Sequence, residues 1–107
     1  MNTQVLPFQA DVREEGDKTV LLLMGEINGS ADAAMTAAYQ QAQATSPARI
    51  VLDFSRVDYI NSTGIALVVG LLAKARAAHI PLGAVGLSDH YREIFTITRL
   101  SDFIEIE

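Results

Sequence analysis

The chain has 107 residues, half of them hydrophobic and a fifth charged, with a net charge of −5 and no cysteine. These proportions fit one folded domain and exclude a disordered chain, while the missing cysteines exclude disulfides, thiolate nucleophiles and cysteine-bound zinc. The 8 basic residues are scattered among 13 acidic ones, so no basic face exists for a phosphate backbone, and neither nucleic acid nor an anionic membrane is an expected partner.

In chain order, the opening MNTQVLPFQADVREE has no basic segment followed by an apolar stretch and does not read as a signal peptide. No apolar run approaches the roughly 20 residues of a membrane span, so a cytoplasmic chain is expected. Val5 to Arg13 has extended character, Glu14-Glu15-Gly16-Asp17 reads as a polar turn, and Thr19 to Met24 is an apolar strand buried on both faces. The two strands most simply form a hairpin. Gly25-Glu26-Ile27-Asn28-Gly29 is a loop, and Ser30 is positioned to cap a helix over 30–45, with Asp32 in its first turn. Arg49 to Phe54 is a second buried strand. Arg56-Val57-Asp58 reads as a turn, with Tyr59-Ile60 briefly extended after it. A long apolar segment follows from Asn61 to Ala78, then a short strand over Leu82–Val85. Ser88 caps a helix reaching about Thr98, and Phe103 to Ile106 alternates like a strand. Strands alternating with helices predict α/β layering, with the first hairpin making the sheet mixed.

The segment 61–78 carries the strongest signal. Ile65, Val68, Val69, Leu72 and Ala75 form a stripe suited to covering a sheet, Leu67, Gly70 and Leu71 form a second apolar flank, and no charge occurs between Asp58 and Lys74. Such a helix is either buried all round or shares a face with a partner. The second option predicts an exposed docking flank around Leu67 and Leu71. At the start of the helix, Asn61, Ser62 and Thr63 are all capping residues, and Gly64 permits close backbone approach. Two readings of the hydroxyls stay open: they cap the helix, or one of them accepts a phosphoryl group where free N–H groups and the macrodipole tolerate negative charge.

Other chemistries find little support. A serine hydrolase needs a positioned base and an oxyanion hole; only His79 and His90 are present, and no Gly-x-Ser-x-Gly surrounds Ser62. The two histidines lack metal-ligand spacing, and Glu26, Asp53 and Asp58 read as solvated or capping acids. No phosphate-cradling Gly-x-x-x-x-Gly-Lys motif exists. Tyr39, Tyr59 and Tyr91 read as packing residues. No enzyme, cofactor or metal site is expected.

Asp53-Phe54-Ser55-Arg56-Val57-Asp58-Tyr59-Ile60-Asn61-Ser62-Thr63-Gly64-Ile65-Ala66-Leu67 resembles the signature of STAS domains, specifically of bacterial anti-sigma factor antagonists. Gly25-Glu26-Ile27-Asn28 is similar to their earlier glycine-glutamate loop. Leu87-Ser88 through Ile94-Phe95, then Thr98-Arg99-Leu100, is similar to their third helix and the turn after it. The likeness covers nearly the whole chain in the same order. It implies a single STAS domain over 1–107, with a mixed β-sheet opened by an antiparallel hairpin and flanked by helices; the family's final helix is expected to be short or absent. It also implies a partner switch, in which a GHKL-type serine kinase that is itself an anti-sigma factor phosphorylates the matching serine, Ser62, with Thr63 the alternative acceptor. The unmodified form would capture the kinase, and a PPM-type serine phosphatase would reverse the mark. The implied contact surface is Asn28, Asn61, Ser62, Thr63, Gly64, Leu67 and Leu71. Two positions depart from the family pattern: Asn61 and Asn28 stand where aspartates are usual, keeping hydrogen-bonding capacity but losing charge. These changes favour, more than a standard sequence would, an alternative to the switch: a STAS scaffold in a signalling or transport assembly. It would use the same flank for a homodimer or a contact with another STAS domain, without a phosphate switch.

Overall fold

β-Branched and leucine-rich runs separated by glycine- and asparagine-led turns become the strands of one sheet in the computed structural model, which describes residues 7–107. The elements are β1 (Gln9–Glu15), β2 (Lys18–Ile27), α1 (Asp32–Ala44), β3 (Arg49–Ile60), α2 (Ser62–Ala77), β4 (Leu82–Val85), α3 (Asp89–Ile97) and β5 (Glu105–Ile106). Single 3-10 turns occur at Gly29–Ala31 and Leu100–Asp102. The sheet order is β1-β2-β3-β4-β5, with β1 antiparallel to β2 and every other pair parallel. This is the mixed α/β sheet with an opening hairpin that the resemblance implied. Val5 and Leu6, at the start of the expected first strand, lie outside the described residues.

Successive parallel strands step across the sheet in one direction, so right-handed crossovers put α1, α2 and α3 on one face. The core agrees. One cluster joins Leu21, Leu23, Ile50, Leu52 and Phe54 of the sheet to Met35 and Tyr39 of α1, Val68 and Leu72 of α2, and Phe95 of α3. Phe54 and Phe95 meet edge to face at 5.9 Å. On the opposite face Arg49 lies across Gly83, where a Cβ would come within 3.1 Å of the guanidinium carbon, and reaches Glu105 (3.1 Å) and Glu107 (2.6 Å).

Four local expectations are corrected. Glu14 and Glu15 belong to β1, not to the turn: Glu15 pairs with Lys18, and Gly16-Asp17 alone closes the hairpin, with Gly16 at φ +67°. Arg56-Val57-Asp58 is not a turn either, because β3 runs unbroken for 12 residues against the 10 of β2. Register shifts absorb the difference. Leu22 to Met24 spans Asp53 to Arg56, and Gly25 to Glu26 spans Val57 to Tyr59, so each shift leaves one extra residue on β3. Ser30 caps nothing; it sits inside the 3-10 turn, and Asn28 caps that turn. The last strand is shorter than expected, because Phe103 ends a 3-10 turn instead of joining the sheet. Ser88 does cap α3, accepting from the Tyr91 N–H at 3.3 Å.

Candidate functional site

β2 and β3 end together, with Ile27 opposite Ile60, and each runs directly into an asparagine. The two asparagines do the same local work. Asn28 Oδ1 accepts from the Ser30 N–H (2.9 Å) and from Ser30 Oγ (2.6 Å), organising the 3-10 turn. Asn61 Oδ1 accepts from the Gly64 N–H (2.7 Å), capping α2. The Asn61 N–H in turn donates to the Ile27 carbonyl at 3.2 Å, tying the α2 entry to the end of β2. Tyr91 fixes the same corner from α3, its hydroxyl accepting from the Ile60 N–H at 2.8 Å.

Gly64 makes this join possible. A Cβ there would collide with the Ile27 carbonyl oxygen, lie 2.8 Å from its carbon and 2.9 Å from Ile60 Cγ2. Any side chain would push the helix off the sheet. The close approach also brings the two loops side by side: a Cβ at Gly29 would stand 3.5 Å from Thr63 Cγ2.

Asn61 carries the cap, which leaves both hydroxyls uncommitted. Ser62 and Thr63 are exposed, and among the described residues neither their hydroxyls nor their N–H groups have a hydrogen-bond partner. No acid occupies the first turn of α2. The first helical residue therefore offers a free nucleophilic oxygen beside two free backbone donors at the positive end of a 16-residue helix. At position 28 the amide has a specific reason to be there: its Nδ2 donates to Glu26 Oε2. A carboxylate at 28 could not donate and would face Glu26 with like charge.

The helix presents a different flank from the expected one. Leu71 is 3 % exposed and belongs to the core, and Leu67 is half-buried in the groove where Asp32 and Thr36 of α1 face Gly70. Val69, assigned by its spacing to the sheet-covering stripe, is instead 44 % exposed. The exposed face runs from Ser62 through Ala66, Val69, Gly70 and Ala73, without charge. Sequence reading missed this strip because a helix apolar nearly all round has no polar face to set its phase, although its members recur at helical spacing opposite Gly64, Val68, Leu71, Leu72 and Ala75.

The remaining candidates do not gather here. His79 lies just past the carboxyl end of α2, about 24 Å of helix from Ser62, and His90 is exposed against Tyr91. Asp53 accepts from the Ser55 N–H at 2.9 Å. Among the described residues no three His, Cys, Asp or Glu side chains are grouped to hold a metal ion, and no helix is long and apolar enough to cross a membrane.

Comparison with known proteins agrees with this fold. The family model described as "Mlab, STAS domain" matches residues 10–105. The anti-sigma-B factor antagonist of Listeria monocytogenes is 32% identical over 91 residues, covering 85% of this chain and 80% of the relative. The crystal structure of an anti-sigma factor antagonist from Mycobacterium paratuberculosis superposes with a TM-score of 0.77 at 21% identity, covering 94% of this chain and 85% of that one. The phosphorylated form of the Bacillus cell fate determinant SpoIIAA superposes with a TM-score of 0.64 at 21% identity, covering 94% and 91%.

Proposed function

Because the chain belongs to the STAS domain family, we propose that it is an anti-sigma factor antagonist whose binding is switched by phosphate on Ser62. It acts as a ligand and a kinase substrate, not as a catalyst. The unmodified surface around Asn28, Ser62, Thr63 and the uncharged α2 strip docks a serine-kinase anti-sigma partner. The observation that carries this reading is the division of labour at the helix entry. Asn61 caps, so the Ser62 hydroxyl is exposed and spare, at the head of an apolar face. A phosphoryl group there adds about −1.5 to −2 charge. The free N–H groups of the first turn accommodate it within the fold, whereas a docked partner would have to desolvate it. The likeness to a protein known in a phosphorylated form adds support, and a PPM-type phosphatase would complete the cycle.

Intact-mass measurement after incubation with the partner kinase and Mg-ATP tests the modification. One phosphoryl group is expected on the unmodified chain and none on Ser62→Ala. If Ser62→Ala is labelled and Thr63→Ala is not, the site moves to Thr63. A chain that takes up no phosphate supports the scaffold alternative, which the neutral amides at 28 and 61 favour.

A further inference from the structure

β1 pairs with β2 on one side, and among the described residues no strand pairs with its other side. Half of its backbone N–H and C=O groups therefore point outward as a template for another strand. Edge strands are commonly blunted by charged side chains, lysine above all, or by proline, bulges or short length. Gln9–Glu15 has seven residues, no proline or lysine, and an unbroken register with β2. Its charges follow a different pattern. Ala10 and Val12 pack toward the core, so Asp11 and Arg13, both exposed, lie together on the opposite face beside the buried Leu22 and Val20 of β2, one on each side of Val12.

This spacing is self-complementary in one register. Two copies related by a two-fold axis perpendicular to the sheet must pair residues of the same face. Centring the pair on Asp11 sets aspartate against aspartate. Centring it on Arg13 sets arginine against arginine and Asp11 against Glu15. Centring it on Val12 sets Asp11 against Arg13 twice, Ala10 against Glu14 and Gln9 against Glu15, and gives all seven residues of β1 a partner with no like charges directly opposed. The layer beneath permits the approach. α1 lies against β1 and β2, and its flank turned away from α2 carries the exposed, mostly small side chains Ala34, Ala37 and Gln41.

We propose that two copies of this chain associate through the outer edges of β1, antiparallel and centred on Val12, to form one continuous sheet. α2 packs on the other side of α1 from this edge, so both Ser62 hydroxyls stay open in the pair, and the contact stands independently of the phosphate switch. Seven residue pairs over a narrow edge make a modest interface, so the association is weak, concentration-dependent and sensitive to salt.

Sedimentation equilibrium on the whole chain from micromolar to millimolar concentration tests the contact. The wild type is expected to dimerise reversibly, more weakly at high salt. Asp11→Arg and Arg13→Asp are each expected to be monomeric, since each puts like charges opposite one another. An equimolar mixture of these two variants is expected to form heterodimers, because two arginines on one chain then face two aspartates on the other. The double exchange Asp11→Arg with Arg13→Asp is expected to restore self-association. Both positions are exposed, and thermal melts verify that each variant is folded. A wild type that stays monomeric at millimolar concentration overturns the proposal. So do single variants that dimerise as well as wild type, or a mixture and a double exchange that fail to recover association.

Discussion

At the scale of single residues, the site depends on which side chain satisfies which backbone group. Asn61 takes the capping hydrogen bond, and this frees Ser62. The sequence placed both among equivalent capping residues and could not separate them, because Asn, Ser and Thr cap with similar strength. Position 28 has a comparable logic. Asn28 uses its oxygen for the turn and its Nδ2 for Glu26. Asn28→Asp is expected to lower stability by about 1–2 kcal/mol at neutral pH. Denaturant unfolding of the variant beside the wild type reads this directly. Tyr39 offers a contrasting case. Its side chain is 1 % exposed and among the described residues its hydroxyl has no partner, and burial raises its pKa above the ordinary value near 10. Above that value the unfolded chain ionises while the folded chain resists, so the unfolded state binds fewer protons and stability falls as pH rises. Tyr39→Phe is expected to gain about 1 kcal/mol at neutral pH by removing an unsatisfied group. The variant should also lose less stability than wild type in alkaline melts.

At the scale of elements, α2 shows how one substitution can have opposite signs within a single helix. Gly64→Ala forces a methyl group into the Ile27 backbone and is expected to cost about 3 kcal/mol or more. Gly70→Ala meets nothing within 4 Å and is expected to stabilise by about 0.5–1 kcal/mol through helix propensity alone. Parallel urea unfolding of the two variants gives the comparison. The ends of α2 were legible because Asn-Ser-Thr-Gly is a strong start signal and an apolar run does not hide it. Its rotation was not legible. A helix apolar nearly all round has no polar face to set its phase, so Leu71 and Val69 exchanged places between surface and core. β3 failed to read as one strand for a related reason. Ser55-Arg56-Val57-Asp58 is polar like a turn, yet it lies on an exposed stretch where two register shifts let a strand continue. Such bulges leave no periodic trace.

At the scale of the whole molecule, the architecture separates the buried core from the candidate site. The main core under one sheet face carries most of the hydrophobic contacts, Val20, Leu22 and Val51 are buried on the other face, and Ser62 stands outside both at the edge where β2 and β3 end. The layer order was legible from the alternation of strands and helices, and the sequence motif gave the location of the candidate surface. Its boundaries needed coordinates, since burial depends on packing between segments distant in the chain. A phosphoryl group on Ser62 is therefore expected to leave the melting temperature nearly unchanged while weakening partner binding. The most direct measurement is the affinity of the partner kinase for the unmodified chain and for the chain stoichiometrically phosphorylated on Ser62, at equal ionic strength. The expected result is a loss of at least about tenfold, or roughly 1.4 kcal/mol, in a phosphorylated chain that melts like the unmodified one. Equal affinities for the two forms would contradict a charge-operated switch at this helix entry.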